Sequence, residues 1–290
     1  MKKHIAIIGL GLIGGSIGLA LKRSGLENAE VTGYARNPEV ASKALRLRAV
    51  DKIGESLTST VGKADIVILA TPTMAIKDIL EQIGPHLISG CIVTDTASTK
   101  TKVMEWAEQY LPSRVNFIGG HPMAGKESAG IDVAEANLFQ GRTYCLVPGR
   151  NSSPASIQLM VELVGKMGAN PLFITALEHD NFVAGISHLP FILSSTLVMA
   201  TTKSPVWKKM SGLAATGYRD VTRLASQHPR MNRDICLTNR ENILLWIDEF
   251  SRELSRFRQL VADNSEDMEK AFMQARQARE SWLEDYDKRD

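Results

Sequence analysis

Short runs of β-branched and aliphatic residues recur along the first 175 positions, each followed by a stretch with apolar residues at helical spacing. The runs His4–Ile8, Val31–Tyr34, Ile66–Ala70, Ile92–Asp95, Asn116–Ile118, Thr143–Val147 and Pro171–Thr175 are expected strands. Between them, Gly14–Ser24, Pro38–Arg46, Ala75–Ile83, Lys100–Tyr110 and Pro154–Met167 carry helical patterns. Strands alternating with helices at this rhythm predict an α/β, doubly wound parallel sheet. After Thr175 the strand signal stops. Leu177–Thr202, Ser204–Gly212, Arg219–Ala225, Met231–Val261 and Ser265–Asp287 all read as helices, the last mostly solvated. The pattern therefore divides the chain into residues 1–175 and an all-α part, 176–290. No Gly/Ser linker lies at the boundary, so the two parts are expected to pack rigidly.

Composition narrows the class. Of 290 residues, 44% are hydrophobic and 23% charged, as in soluble globular proteins. A formal charge of +2, with no basic run interleaved with aromatics, argues against a nucleic-acid partner. Cys91, Cys145 and Cys236 are widely spaced and form no CxxC, which reads as buried thiols in a reducing compartment. No metal-ligand spacing is present, so no metal is expected. Lys2-Lys3 with the apolar run to Leu21 imitates a signal peptide, but five glycines interrupt it and no clear cleavage site follows. Phe182 to Ala200 is long enough to span a bilayer, yet His188, Pro190, Ser194 and Ser195 interrupt it. The expectation is a cytoplasmic protein with no membrane partner.

Ile5 to Ser16 combines a strand, a Gly9-x-Gly11-x-x-Gly14 turn and a helix start at Leu12 and Ile13. Gly9 permits the tight turn, Gly11 lets the backbone approach a pyrophosphate, and Gly14 lets the helix pack on its strand. Helix N–H groups would hold the diphosphate. A carboxylate normally ends the second strand to bind a ribose 2′-hydroxyl. Here Gly33-Tyr34-Ala35-Arg36-Asn37 has none, and the Arg36 guanidinium suits a 2′-phosphate, which favours NADP. The alternative is Arg36 stacking on adenine, with NAD accepted. Thr71 and Pro72, following a strand, are expected along the cofactor groove.

Gly119-Gly120-His121-Pro122 places a titratable histidine where glycines and a proline suggest a fixed loop. Oxidising an alcohol requires a base for its hydroxyl proton, and His121 is the candidate; an ordinary turn histidine is the plain alternative. Ser98, in Asp95-Thr96-Ala97-Ser98-Thr99-Lys100, follows a strand and reads equally as a ligand contact or a helix N-cap. His188 lies on the first helix of the second part. His179 is nine residues earlier, half a turn out of phase on a straight helix, so His188 alone is expected to face the cleft. Arg219 and Arg223 are an i,i+4 pair whose shared charge suits an anionic substrate, with Asp220 as a structural partner otherwise.

Taken in order, GLGLIGGS, DTAS-x-K, GGHPMAG-x-E-x-x-G, SHLP and G-Y-R-D-x-x-R resemble the prephenate/arogenate dehydrogenase family over essentially the whole chain. The resemblance implies a Rossmann-like domain joined to an all-α dimerisation domain, and so a homodimer. It implies oxidation of the ring 4-hydroxyl of a cyclohexadienol, arogenate or prephenate, with loss of the ring carboxylate as carbon dioxide, in tyrosine biosynthesis. By motif, His121 would be the base and Ser98 part of its hydrogen-bond relay. Arg223 would bind a carboxylate, Glu127 would gate the pocket, and His188 would assist binding. Lys126, Phe191 and Asn232 depart from the residues common in relatives, in the region expected to read the substrate side chain. Two other classes share parts of this pattern. A β-hydroxyacid dehydrogenase or imine reductase would share the plan, but hydroxyacid dehydrogenases place a lysine on the first interdomain helix, and Leu177 to Thr202 contains none. A non-catalytic NADP sensor would have no need of His121, Ser98 and Arg223 together.

Overall fold

Eight strands form one sheet in the order β3-β2-β1-β4-β5-β6-β7-β8 in this computed structural model, which describes residues 3–25, 29–126 and 128–287. The strands are β1 (Lys3–Ile8), β2 (Ala29–Tyr34), β3 (Lys52–Ile53), β4 (Ile66–Leu69), β5 (Ile92–Asp95), β6 (Asn116–Pro122), β7 (Thr143–Pro148) and β8 (Asn170–Phe173). Ile5 is in register with Val31 on one side and Ile66 on the other. Side-chain alternation along β1 builds two cores. Ile5 and Ile7 pack with Ile17 and Leu21 of α1 (Leu12–Arg23), while Ala6 and Ile8 join the layer beyond the opposite face.

The remaining helices of this part are α2 (Pro38–Arg46), α3 (Leu57–Val61), α4 (Thr73–Ile83), α5 (Thr101–Tyr110) and α6 (Pro154–Lys166). Met160 and Leu163 of α6 cover the Ile5 face. Ile76, Leu80 and Ile83 of α4, with Val103 of α5, cover the other. The doubly wound arrangement follows from strands that are apolar on both sides. Strand order reverses between β1 and β4, which opens a crevice at their carboxyl ends, where α/β sheets bind ligands.

Three features depart from the sequence expectation. The sheet is mostly but not wholly parallel: β6 and β7 pair antiparallel, His121 opposite Cys145. A parallel step needs a crossover, usually helical, and the connection from Pro122 to Thr143 contains only the 3-10 turn Ile131–Val133 among its described residues. β3 has two residues, too short to show a period, and is held by Thr32↔Lys52 and Gly33↔Ile53. The GGHP segment is not a loop; it lies within β6, which runs through Pro122.

Beyond β8 come α7 (Ala176–Val183), a π-helical turn (Ala184–His188), α8 (Leu189–Thr202), α9 (Trp207–Met210), α10 (Thr216–Thr222) and α11 (Pro229–Thr238). The expected helix Met231–Val261 is two: Asn239, at φ −130° and ψ 35°, separates α11 from α12 (Arg240–Ala262). α13 (Asp267–Asp287) completes the described chain. Two compact units result, Met1–Arg240 and Glu241–Asp290, so the sheet and α7 to α11 share one unit. The stretch Ala176–Thr202 is apolar and long enough to cross a membrane, but it carries buried His179, Asp180 and His188 inside that first unit. Within the second unit, the Phe257 ring of α12 and the Phe272 ring of α13 meet at 5.4 Å between centroids, tilted by 50°.

Candidate active site

The crevice at the β1/β4 switch point holds two clefts that share Gly11, Thr71 and Pro72. One, of about 510 Å³, runs past the end of β2 to Tyr34, Ala35, Arg36 and Thr58. The other, of about 340 Å³, extends from Leu12 and Ile13 past Ser98 to Gln227 and Asp234. Gly9 has φ +97°, and a Cβ on Gly14 would stand 1.9 Å from the Gly9 carbonyl oxygen, so both are required by the turn itself. A Cβ on Gly11 would meet nothing within 4 Å. Its openness, with α1 starting at Leu12 and no side chain capping its first N–H groups, leaves a cradle for a diphosphate. Buried Thr71 Oγ1, Gln227 Oε1 and Asp234 Oδ2 belong to residues lining the second cleft and have no hydrogen-bond partner among the described residues. Groups of this kind are satisfied by a ligand or water. The residues present thus fit a dinucleotide, with Gly9, Gly11, Leu12, Ile13, Gly14, Arg36, Thr71 and Pro72 all at the turn or along the clefts.

Ser98 lies half-buried on the loop between β5 and α5, lining the second cleft. It is not the N-cap. Lys100 takes that position without a side-chain cap, and the first N–H groups of α5 go elsewhere: Lys100 N and Thr101 N donate to the two Asp180 carboxylate oxygens at 2.7 and 2.8 Å. The Lys100 side chain turns inward, fully buried, to pair with Asp95 and to donate to the Gly120 carbonyl at 2.6 Å. Asp95 accepts from Ala97 N at 2.8 Å and Gly120 N at 3.1 Å. Both sides of the Gly120 residue are thereby stapled to the end of β5. His121 follows immediately.

His121 is half-buried at the carboxyl end of β6, one strand along from the Ser98 loop. Burial holds its ring well below the usual histidine pKa, and His179, Lys100 and His188 add to the effect. A neutral imidazole is what a general base requires. Its Nδ1 is 2.8 Å from His179 Nε2, with the rings edge to face. His179 Nδ1 is 2.8 Å from Asp180 Oδ1. Burial pushes the Asp180 carboxyl up, but hydrogen bonds from His179, Thr101 and Lys100 outweigh it and keep the group below its ordinary range.

Contrary to the expectation that His188 alone faces the cleft, His179 is the histidine in contact with His121. The intervening helix is not straight: the π-helical turn Ala184–His188 absorbs an extra residue, so the nine steps turn like eight and the phase gap falls from about 180° to about 80°. Both histidines are buried, and both bear on His121. His188 Nδ1 faces Asn239 Nδ2 at 3.2 Å, and that same nitrogen donates to the Asp180 carbonyl at 2.7 Å. The second contact fixes the Asn239 amide as donor, so His188 Nδ1 accepts and Nε2 carries the hydrogen. Nε2 is buried and has no hydrogen-bond partner among the described residues. Burial also draws the His188 pKa down to about 4, opposed by Asp180 and aided by His179.

The other expected residues are placed differently. Glu127 lies outside the described residues. Arg219 and Arg223 are exposed; α10 ends at Thr222, Arg223 opens a 3-10 turn, and Arg219 stands 3.6 Å from Asp220. Neither is among the residues lining the two clefts, whereas the cations Lys126 and Arg230 line the second. Lys126 also pairs with Glu135 at 2.5 Å. Phe191 is buried with its ring 6.0 Å from that of His188. Sequence reasoning missed Lys100, His179, Asp180 and Asn239. The adjacent His179-Asp180 pair was a visible signal, since neither residue is ordinarily buried without a partner.

A glycine-turn nucleotide cleft at the switch point, a hydroxyl-bearing loop and a neutral histidine on neighbouring strand ends define a dinucleotide-dependent dehydrogenase. Family models match almost end to end: prephenate dehydrogenase, nucleotide-binding domain, over residues 17–172, and prephenate dehydrogenase, dimerization domain, over residues 175–275. The chain belongs to the prephenate dehydrogenase family. It is 38% identical over 274 residues to a prephenate dehydrogenase of Bacillus subtilis (strain 168), covering 94% of this chain and 73% of the relative. Synechocystis arogenate dehydrogenase superposes with a TM-score of 0.82 at 31% identity, over 96% of this chain and 99% of that one. Prephenate dehydrogenase from A. aeolicus, in complex with hydroxyphenyl propionate and NAD+, gives 0.90 at 29%, over 97% and 98%.

Proposed function

We propose that His121 removes the ring 4-hydroxyl proton of arogenate, with prephenate as the alternative substrate, and that NADP is the preferred hydride acceptor. The reaction class is that of the family: oxidative decarboxylation of a cyclohexadienol with hydride transfer to NAD(P), in tyrosine biosynthesis. Bound in the crevice, the nicotinamide supplies the hydride acceptor. As the hydride leaves the carbinol carbon, His121 takes the hydroxyl proton. The ring carboxylate departs as carbon dioxide, its bonding electrons complete the aromatic ring, and the phenolate takes the proton back. Aromatisation drives the reaction, so the protein mainly supplies alignment and a proton acceptor.

The observation that carries this reading is the His121 ring held at the carboxyl end of β6, one strand along from the cleft-lining Ser98 loop, where burial lowers its pKa. Ser98, on the adjacent strand end, is assigned to the hydrogen-bond relay, and the unpartnered Nε2–H of His188 to substrate binding. Arg223 as carboxylate clamp, with Arg219 beside it and Glu127 as gate, rests on motif resemblance alone. We also propose a cytoplasmic homodimer formed through the helical part, with the domain boundary near residue 175. The dimerization family model over 175–275 supports this.

The deciding assay crosses prephenate and arogenate with NAD and NADP in steady state, for the wild type and His121→Asn. The variant loses about 10²- to 10⁴-fold in kcat while binding cofactor normally. Near-wild-type turnover removes His121 from the chemistry. An unchanged KM in Arg223→Ala removes the clamp.

A further inference from the structure

His121, His179 and Asp180 stand in a row whose hydrogens are all oriented from its buried end. Asp180 is 1% exposed, and its carboxylate is fastened to the first turn of α5 by Lys100 N and Thr101 N. Three hydrogen-bond donors face it, and the positive end of the helix favours its ionised form. An ionised carboxylate only accepts, so His179 Nδ1 carries a hydrogen across the 2.8 Å contact. With its one ring hydrogen placed at Nδ1, His179 presents a bare Nε2, which also only accepts. The hydrogen in the 2.8 Å contact with His121 therefore belongs to His121 Nδ1. What remains on His121 is a lone pair at Nε2.

We propose that His179 and Asp180 are positioning residues that lock His121 in the Nδ1–H tautomer, leaving Nε2 as the base. The inference rests on the reading of His121 as the base and names the nitrogen that acts. In the opposite tautomer the His121 Nδ1 lone pair would face the His179 Nε2 lone pair at 2.8 Å, acceptor against acceptor. When Nε2 takes the substrate proton, the resulting imidazolium strengthens its Nδ1–H bond to His179. The Asp180 charge lies one ring further along. The proton itself stays on His121 and returns to the product. Three chain segments meet in this row: β6 supplies His121, α7 the His179-Asp180 pair, and α5 the backbone donors. A shift of α7 along the sheet would break both the tautomer lock and the α5 cap together.

The test reads the tautomer directly. Imidazole ¹⁵N spectra of the full chain, with the His121 signals assigned by their loss in His121→Asn, are expected to show Nδ1 protonated and Nε2 bare in the wild type. In His179→Phe the row has no acceptor, and the Nε2–H form gains population. In the same variant kcat falls at least about tenfold, while substrate KM and NADP affinity stay within about threefold. His179→Gln offers Oε1 to the Nδ1–H and recovers a large part of both the tautomer and kcat. A wild-type His121 found as the Nε2–H form overturns the proposal without any variant. So does an unchanged tautomer and kcat in His179→Phe. If His121→Asn turns over normally, the base reading fails even though the tautomer measurement stands.

Discussion

Lys100 and Asp95 form an ion pair sealed from solvent directly beneath the peptide that carries His121. Neither side chain has any exposed surface, and the pair clamps Gly120 from both its N–H and its carbonyl. Breaking such a pair from one side leaves a buried charge uncompensated. Lys100→Met is therefore expected to lose about 3–5 kcal/mol of unfolding free energy, read from urea midpoints. In a double-mutant cycle with Asp95→Asn, the combined loss is smaller than the sum of the two. Additive losses would show that the two residues do not act as a pair.

Stability should rise with pH between about 5 and 6.5. His188, held near 4 in the fold by burial, and His121, also lowered, stay neutral there while an unfolded histidine titrates near 6.5. The unfolded state thus binds more protons across that window, and stability present above the unfolded pKa drains away as pH falls. His188 alone contributes a loss of roughly 1 to 2 kcal/mol between pH 6.5 and 5. Urea titrations at the two pH values measure it, and His188→Leu should have a flatter dependence. An equal slope in that variant would assign the acid sensitivity elsewhere.

Cofactor choice is expected to turn on the end of β2. Arg36 is exposed on the cleft that Tyr34 and Ala35 also line. Ala35→Asp combined with Arg36→Ala gives a carboxylate for a 2′-hydroxyl and removes the cation for a 2′-phosphate. The ratio of kcat/KM for NADP over NAD should fall by at least about tenfold, the scale of one charged contact. No shift would mean that the phosphate is read by other groups, such as the Ser56 and Thr58 hydroxyls on the same cleft.

The nucleotide half was legible because its chemistry is local. Gly9 to Gly14 lie in six consecutive residues, and their turn, helix start and packing follow from backbone geometry alone. Ser98 was legible as a loop residue at a strand end, though Lys100, two residues on, holds the N-cap position. The histidine row was not legible. Its phase argument assumed a straight helix from His179 to His188, and a π-helical turn has no reliable signature in a single sequence. The turn places the two rings by tertiary packing, through Asn239, which the sequence pattern had buried inside one long helix. The antiparallel β6–β7 step escaped for a related reason: direction depends on what connects two strands, which strand periodicity does not report.

Gly11 and Gly14 should separate the cost of folding from the cost of binding. A methyl on Gly14 would fall 1.9 Å from the Gly9 carbonyl and 3.1 Å from the Ala70 Cβ, so α1 has to move off β1 and the turn. Gly14→Ala is expected to lower the melting temperature and cofactor affinity together, because the helix terminus is displaced. The same methyl on Gly11 meets no protein atom within 4 Å, and the backbone there, at φ −82°, is open to alanine. Gly11→Ala should cost no more than about 1 kcal/mol of stability, from the poorer N-cap. Its methyl instead occupies the space through which the backbone approaches the diphosphate, so cofactor affinity falls by at least about tenfold. Thermal denaturation without ligand and fluorescence titration with NADP measure the two terms separately. A Gly11→Ala protein that binds NADP as the wild type does would place the diphosphate away from the α1 terminus, and the nucleotide reading of the crevice would fail there.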